Sequence, residues 1–240
     1  MAMRCAIMQP TFCPWAGYFR LMESVDRFVF LDDVQLERQS WQTRNRVLQN
    51  GSVQWLIACV RHDSLEQTIE ETRLAGDDRW RRKLGSRLRH AYARHPHMRE
   101  LQELIAMIEA SPQENLADFN IAIIRHCAER LGIATPMQRS SEMTFGTSQR
   151  TERLVEMCVR LGCDTYVSPI GSAAYLASDG FTRMTDTRLE FFDAVPPRYP
   201  QRGSEGFISH LSIIDVVANL GWEGAGAYVR APWTIQEERT

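Results

Sequence analysis

The chain has 240 residues, 44% of them hydrophobic and 24% charged, with a net charge of −2. That supplies a sizeable core and excludes a general electrostatic pull toward nucleic acid or acidic membranes. The opening "MAMRCAIMQP" has one Arg and no apolar run of signal-peptide length, and no segment approaches the roughly 20 apolar residues of a membrane span. A cytoplasmic protein without membrane contact is expected. The six cysteines (5, 13, 59, 127, 158 and 163) form no C-x-x-C pair, and Cys5, Cys59, Cys127 and Cys158 sit in apolar-patterned runs. Reduced thiols are the reading, with Cys163 incidental.

In chain order, "RCAIMQP" (4–10) and "RFVFLDD" (27–33) are compact apolar runs ended by polar groups, the pattern of short buried strands. Between them "GYFRLMESVD" spaces Tyr18, Leu21, Met22 and Val25 as a helix does. Strand, helix, strand opens a βαβ unit of a parallel sheet, and such sheets bind ligands outside the carboxyl ends of their strands. "QWLIACV" (54–60) is a third strand candidate.

The middle turns helical. Trp80, Leu84, Leu88 and Tyr92 follow each other at i, i+4 within 78–94, so one stripe is buried. Arg79, Arg81, Arg82, Lys83, Arg87, Arg89 and Arg94 take the other faces. A solvated face offset by the acidic "EQTIEE" is favoured over RNA binding, so nucleic acid is not an expected partner. Helices follow at 98–110 and 115–132, the second stopped by Gly132. Then come a strand at 137–143, a helix at 148–163 with Leu154, Cys158 and Leu161 inward, strands at 164–169 and 188–195, and a helix at 212–221 ending at Gly221. The tail after Gly224 is weakly patterned. The expected fold is α/β: a Rossmann-like parallel sheet flanked by helices, one domain over 1–240, with a helical insertion or subdomain at about 78–134.

Five stretches carry candidate chemistry. In "QPTFCPWAGY", Pro10 and Pro14 stiffen a loop, Gly17 permits close approach, and Trp15 and Tyr18 offer rings for stacking. A helix starting near Gly17 would favour an anion, while a packed strand–helix turn is the plainer alternative. In "FLDDVQLERQSWQTRNRV", Asp32 or Asp33 could act as a base or bind a hydroxyl-rich ligand, with Trp41, Asn45 and Arg46 downstream. A structural Asp–Arg bridge competes. In "GTSQRTERL", Thr147 and Ser148 suit an N-cap, and Arg150 with Thr151 lies in the first turn, a phosphate site or only a cap. "YVSPIGSAAYL" ends a strand at Ser168 and begins a helix at Gly171; it is not G-x-S-x-G. "RYPQRGSEGFISHLS" contributes Tyr199, Gln201 and His210, and Ser212 is a natural N-cap. The histidines at 62, 90, 95, 97 and 126 lack metal-ligand spacing, so no metal is expected.

Two resemblances follow from these residues. The spacing of Thr11 and Pro14 before Trp15-Ala16-Gly17-Tyr18 is similar to the T-x-x-P…H-x-G-H loop of the nucleotidyltransferase superfold, but both histidines are absent, so its phosphate chemistry does not transfer. Nearly end to end, the chain resembles the WbqC-like protein family. "QPTFCPWAGYF", "FVFLDDVQL" and "SWQTRNRV" look like its opening signature, "TERLVEMCVRLGCDTYVSPIGSAAYL" its middle motif, and "PPRYPQRGSEGFISHLSIIDVVANLG" its closing one. Ile170 and Ala194 depart from the pattern, which weakens transfer of substrate identity more than of fold.

Members of the family the chain resembles tend to occur with genes for surface-polysaccharide and modified-sugar biosynthesis, and some with other small-molecule pathways. The resemblance implies functional positions at Gln9, Pro10, Trp15, Gly17, Tyr18, Asp32, Asp33, Gln35, Asn45, Arg46, Thr151, Ser168, Tyr199, Gln201 and His210. The expected function is acyl or aminoacyl transfer (amide or ester formation) onto an amine or hydroxyl of a sugar-derived or other small acceptor, with Asp32, Asp33 or His210 as base. Arg46 and the helix starts at Gly17 and Gly171 would hold an anionic part of the substrate. An ATP-dependent or nucleotidyltransferase-like enzyme is the alternative, with ATP or another nucleotide as cofactor although no P-loop supports it. A non-catalytic binding protein of the same pathway is the other. All these readings require Trp15, Asp33, Ser168 and His210 to converge on one crevice.

Overall fold

The computed structural model describes residues 2–145 and 148–235. Its elements are β1 (Arg4–Met8), α1 (Ala16–Glu23), β2 (Arg27–Phe30), β3 (Arg44–Gln49), β4 (Ser52–Ile57), α2 (Arg79–Tyr92), α3 (Met98–Ala110), α4 (Leu116–Arg130) and β5 (Met137–Arg139). There follow α5 (Arg150–Leu161), β6 (Thr165–Pro169), α6 (Ala173–Asp179), α7 (Phe181–Met184), β7 (Arg188–Phe192), β8 (Ala194–Val195), α8 (Ile213–Arg230) and β9 (Thr234–Ile235).

Five parallel strands form the central sheet in the order β5-β2-β1-β6-β7. Alternate residues of each strand feed opposite faces, as the two-residue period of a strand requires. Ala6, Phe28, Phe30 and Val167 join the larger core with residues of α1, α3, α4 and α8. Cys5, Ile7, Val29 and Tyr166 face the other way, onto Leu154 and Cys158 of α5, Leu176 of α6 and Phe181 of α7. With both faces covered, the strands read as continuous apolar runs. The chain winds outward from β1 through β2 to β5, and on the other side from β6 to β7. The winding therefore reverses between β1 and β6, where an open parallel sheet leaves a crevice at its carboxyl edge.

The helical insertion is α2, α3 and α4. The expected α2 stripe is buried at all four positions, Trp80, Leu84, Leu88 and Tyr92, each such side chain contributing about 1.5–3 kcal/mol. Its basic face is less free than expected. Arg81 is buried and pairs with Asp78, and Arg89 grips both carboxylate oxygens of Glu109 at 2.6 Å. Arg87 donates to the Trp55 carbonyl at 2.8 Å. Gly132 takes φ 75°, one residue past the Leu131 C-cap, as the helix stop requires.

Several boundaries differ from expectation, and the strand expected at 188–195 is two, β7 in the central sheet and β8 paired with β9 outside it. Residues 44–49 are a strand, and with β4 they form an antiparallel hairpin outside the central sheet. The strand at 137–143 stops at Arg139, because Ser140 and Ser141 turn to bond Asp32. The last helix continues to Arg230 across a kink at Gly221 (φ 72°, ψ 175°), where the Glu100 carboxylate accepts from Trp222 N at 2.8 Å and restarts it. A 3₁₀ turn at Ile170–Ser172 precedes α6, so Gly171 lies in that turn. All six cysteines are free, and Cys5 and Cys158 place their sulfurs 3.8 Å apart. No helix among the described residues is long and apolar enough to cross a membrane.

Candidate functional site

The loop after β1 is stitched to the start of α8. Ser212 Oγ donates to the Cys13 carbonyl at 2.7 Å, Ile213 N to the Pro14 carbonyl at 2.7 Å, and Ser212 N to the Arg46 carbonyl at 2.8 Å. Ser212 also caps α8, accepting from Ile214 N. Two non-glycine residues of these segments hold left-handed backbone, Cys13 at φ 43° and His210 at φ 59°. Such conformations cost about 1–3 kcal/mol and persist only where the surroundings impose them. The result sets the His210 ring against the Trp15 indole, centroids 4.3 Å apart.

These segments and β3 enclose a cavity of about 290 Å³ lined by Met8, Thr11, Trp15, Tyr18, Trp41, Asn45, Arg46 and His210. Half of its lining residues carry rings, beside a few polar groups of defined orientation. Asn45 donates to the Phe12 carbonyl at 3.0 Å, Tyr18 to the Gln9 carbonyl at 3.2 Å, and Arg46 Nη2 to the His210 carbonyl at 3.1 Å. Two lining atoms, Thr11 Oγ1 and Arg46 Nε, are buried without a hydrogen-bond partner among the described residues. A buried polar atom left unbonded costs free energy that a bound polar group would recover. The His210 ring nitrogens have no hydrogen-bond partner among the described residues. Burial, and then the Arg46 charge, lower the His210 pKa below its ordinary 6.5. The imidazole is therefore neutral at pH 7 and able to accept a proton.

Behind the loop lies a buried amide cluster. Gln42 donates to the Gln9 side chain, and Asn120 Nδ2 to the Pro10 and Gln42 carbonyls at 2.8 Å each. Gln42 Oε1 and Asn120 Oδ1 have no partner among the described residues. Gln9 and Pro10 thus serve the loop's shape. Sequence reasoning missed Thr11, Gln42 and Asn120. The last had a signal: it sits at i, i+4 between Leu116 and Ile124, a polar residue on a buried stripe.

Gly17 has a role other than turning or approaching a ligand. A Cβ there would lie 2.1 Å from Trp15 Cη2 and Cζ2, so the indole occupies the space beside it. Gly17→Ala is expected to push the indole off the His210 ring, change the tryptophan emission, and cost about 1–3 kcal/mol in urea denaturation.

Asp32 and Asp33 form a separate cluster at the end of β2. Asp32 is fully buried and takes Arg139 Nε at 2.5 Å, Ser141 N at 3.0 Å, Ser141 Oγ at 2.8 Å and Ser140 Oγ at 3.1 Å. Asp33 pairs with Arg153 and accepts from Ser140 Oγ at 2.5 Å. Arg139 also holds Asp118 of α4 at 2.5 Å. This is the Asp–Arg bridge anticipated as the competing reading, and neither carboxylate lines the aromatic cavity. Nearby Glu70 has its pKa raised by burial and by Asp32 and Asp33.

The remaining expected residues stand apart from the cavity. Tyr199 and Gln201 serve Asp215, a fully buried carboxylate with no cationic partner among the described residues. It accepts from Tyr199 at 2.7 Å and Tyr92 at 3.1 Å, and burial raises its pKa. Gln201 donates to Tyr199 Oη at 2.9 Å and the Ile208 carbonyl at 2.8 Å, holding the segment that carries His210. Asp215 itself was missed, although an Asp inside "SIIDVVANLG" is the signal. Ser168 is buried against Tyr166 and Ser172. Thr151 donates to Asp179 at 2.7 Å, and Arg150 lies 3.9 Å from the same carboxylate, so an acid takes the place expected for a phosphate. Gln35 donates to the Leu65 carbonyl at 2.7 Å, and Gly171 is exposed with no atom within 4 Å of a built Cβ. Thr147 lies outside the described residues. Of the four residues expected to converge, Trp15 and His210 meet; Asp33 and Ser168 keep partners of their own.

A model of the WbqC-like protein family matches residues 9–226. The chain is 30% identical over 229 residues to an uncharacterized protein, Rv1507c, of Mycobacterium tuberculosis (strain ATCC 25618 / H37Rv), covering 95% of this chain and 97% of that one. No solved structure matches.

Proposed function

From the premise that this chain belongs to the WbqC-like protein family, we propose that it transfers an acyl or aminoacyl group onto an amine or hydroxyl of a small, sugar-derived acceptor. The membership and the Rossmann-like sheet support a biosynthetic, transferase-type enzyme in general terms. The observation that carries the particular reading is the unpartnered, neutral His210 imidazole on the wall of a ring-lined cavity. At about 290 Å³ the cavity suits one sugar-sized ring. The apolar C–H face of such a ring packs on Trp15, Tyr18 or Trp41, while Thr11 Oγ1 and Asn45 meet its hydroxyls.

In the proposed reaction the donor is an acyl ester or thioester. A His210 ring nitrogen removes the proton from the acceptor N–H or O–H as that atom bonds to the acyl carbon. The tetrahedral intermediate collapses by breaking the bond to the leaving group, which takes the proton from His210. Arg46 faces the anionic part of donor or acceptor. Asp32 and Asp33, already paired with Arg139 and Arg153, fix the β2–β5 edge rather than act as base. A nucleotide-using reaction receives less support: the indole beside Gly17 fills the space where a phosphate would meet the start of α1.

Incubation with acyl-thioester donors and amino-deoxy sugars, read by mass spectrometry, tests the reading. Acceptor gaining the acyl mass is the expected result. Quenching of tryptophan emission by a sugar with no product under any donor would make the protein a binding protein instead.

A further inference from the structure

A second cavity of about 670 Å³, lined by Leu48 toward the end of β3, shares no lining residue with the aromatic pocket. Its lining includes Arg94, Arg202, His90 and His95 and no carboxylate. Neither Arg94 nor Arg202 has an ion-pair partner for its guanidinium among the described residues, in contrast to Arg81 and Arg89 of the same helical region. Both ring nitrogens of His95 are buried without a hydrogen-bond partner among the described residues, and its ring lies edge-on to Tyr92 at 4.8 Å. The rim is backbone. Gly51 (φ 76°) at the β3–β4 turn comes so close to the 202–203 turn that a Cβ would lie 3.3 Å from the Gly203 carbonyl oxygen.

We infer that this cavity binds a phosphorylated small molecule, with Arg94 and Arg202 gripping the phosphate. Two unpaired guanidiniums facing one space repel each other. An anion between them reverses the sign of that energy, and a phosphate matches their planar donor forks. The cavity has room for a phosphorylated sugar or nucleoside beyond the phosphate itself. His90 and His95 add donors of a kind that phosphate oxygens accept. The inference goes beyond the proposed transfer reaction and stands independently of it.

Pyrophosphate is the probe, titrated into the full chain by calorimetry at constant ionic strength. Wild-type protein is expected to bind it, and Arg94→Gln with Arg202→Gln to weaken binding by about tenfold or more. Arg46→Gln, in the other pocket, is expected to leave it unchanged, which separates this site from the proposed active site. Because both side chains are exposed and unpaired, the double variant should melt like wild type without ligand. Failure of wild type to bind, equal binding by the double variant, or loss of binding in Arg46→Gln would each overturn the assignment.

Discussion

Turnover of His210→Gln is expected to fall about 10²–10⁴-fold, the usual contribution of a positioned general base. Glutamine keeps a polar side chain of similar reach but cannot accept the acceptor's proton, so the loss should fall on kcat more than on KM. The pH profile carries independent information. Burial and the Arg46 charge both disfavour the imidazolium, so the His210 pKa lies below 6.5. The base form is the neutral one. Activity should therefore rise as pH increases through that lowered pKa and be on its plateau by neutral pH. Arg46→Gln removes one of the two depressing influences and should move the rising limb toward higher pH. A His210→Gln enzyme with wild-type kcat would sink the catalytic assignment and leave a carrier or scaffold role.

Arg139→Ala is expected to have the largest effect on stability. Asp32 has no exposed side-chain surface, and Arg139 meets both it and Asp118 at 2.5 Å. Removing the guanidinium strands a buried carboxylate with Asp33 and Glu70 close by, and breaking such a pair typically costs about 3–5 kcal/mol. For a chain of this length that lowers the melting temperature by about 10 °C. The discriminating control is Asp32→Asn combined with Arg139→Met, which removes both charges and should recover much of the loss. If Arg139→Ala melts with wild type, the cluster is not what fixes the β2–β5 edge. The same variants speak to function, since the double variant should retain His210-dependent turnover once folded.

The sheet was legible because its information is local. β1, α1 and β2 announce themselves through the periods of their apolar residues, and α2 through four residues at i, i+4 that are all buried. The aromatic cavity was half legible: Trp15, Tyr18, Trp41, Asn45, Arg46 and His210 were all named from their residue types and positions, and the fold brings them to one lining. Asp32, Asp33 and Tyr199 were named on the same grounds yet bond to partners 16 or more residues away, and Gln201 turns back on Tyr199 and Ile208. A polar residue at a strand end looks alike in sequence whether it faces a ligand or an arginine.

What the chain alone determined is thus the α/β alternation, the helical insertion and the ring-rich loop, because hydrophobic period and glycine or proline placement act within a turn or two of each residue. Tertiary structure alone decided which polar groups are spent on one another. Glu100 restarts α8 from a distant helix, Arg139 and Arg153 neutralise the aspartates, and His210 is left unbonded. The reason is that hydrogen bonds and ion pairs depend on ångström distances between segments more than 100 residues apart, which no local pattern encodes.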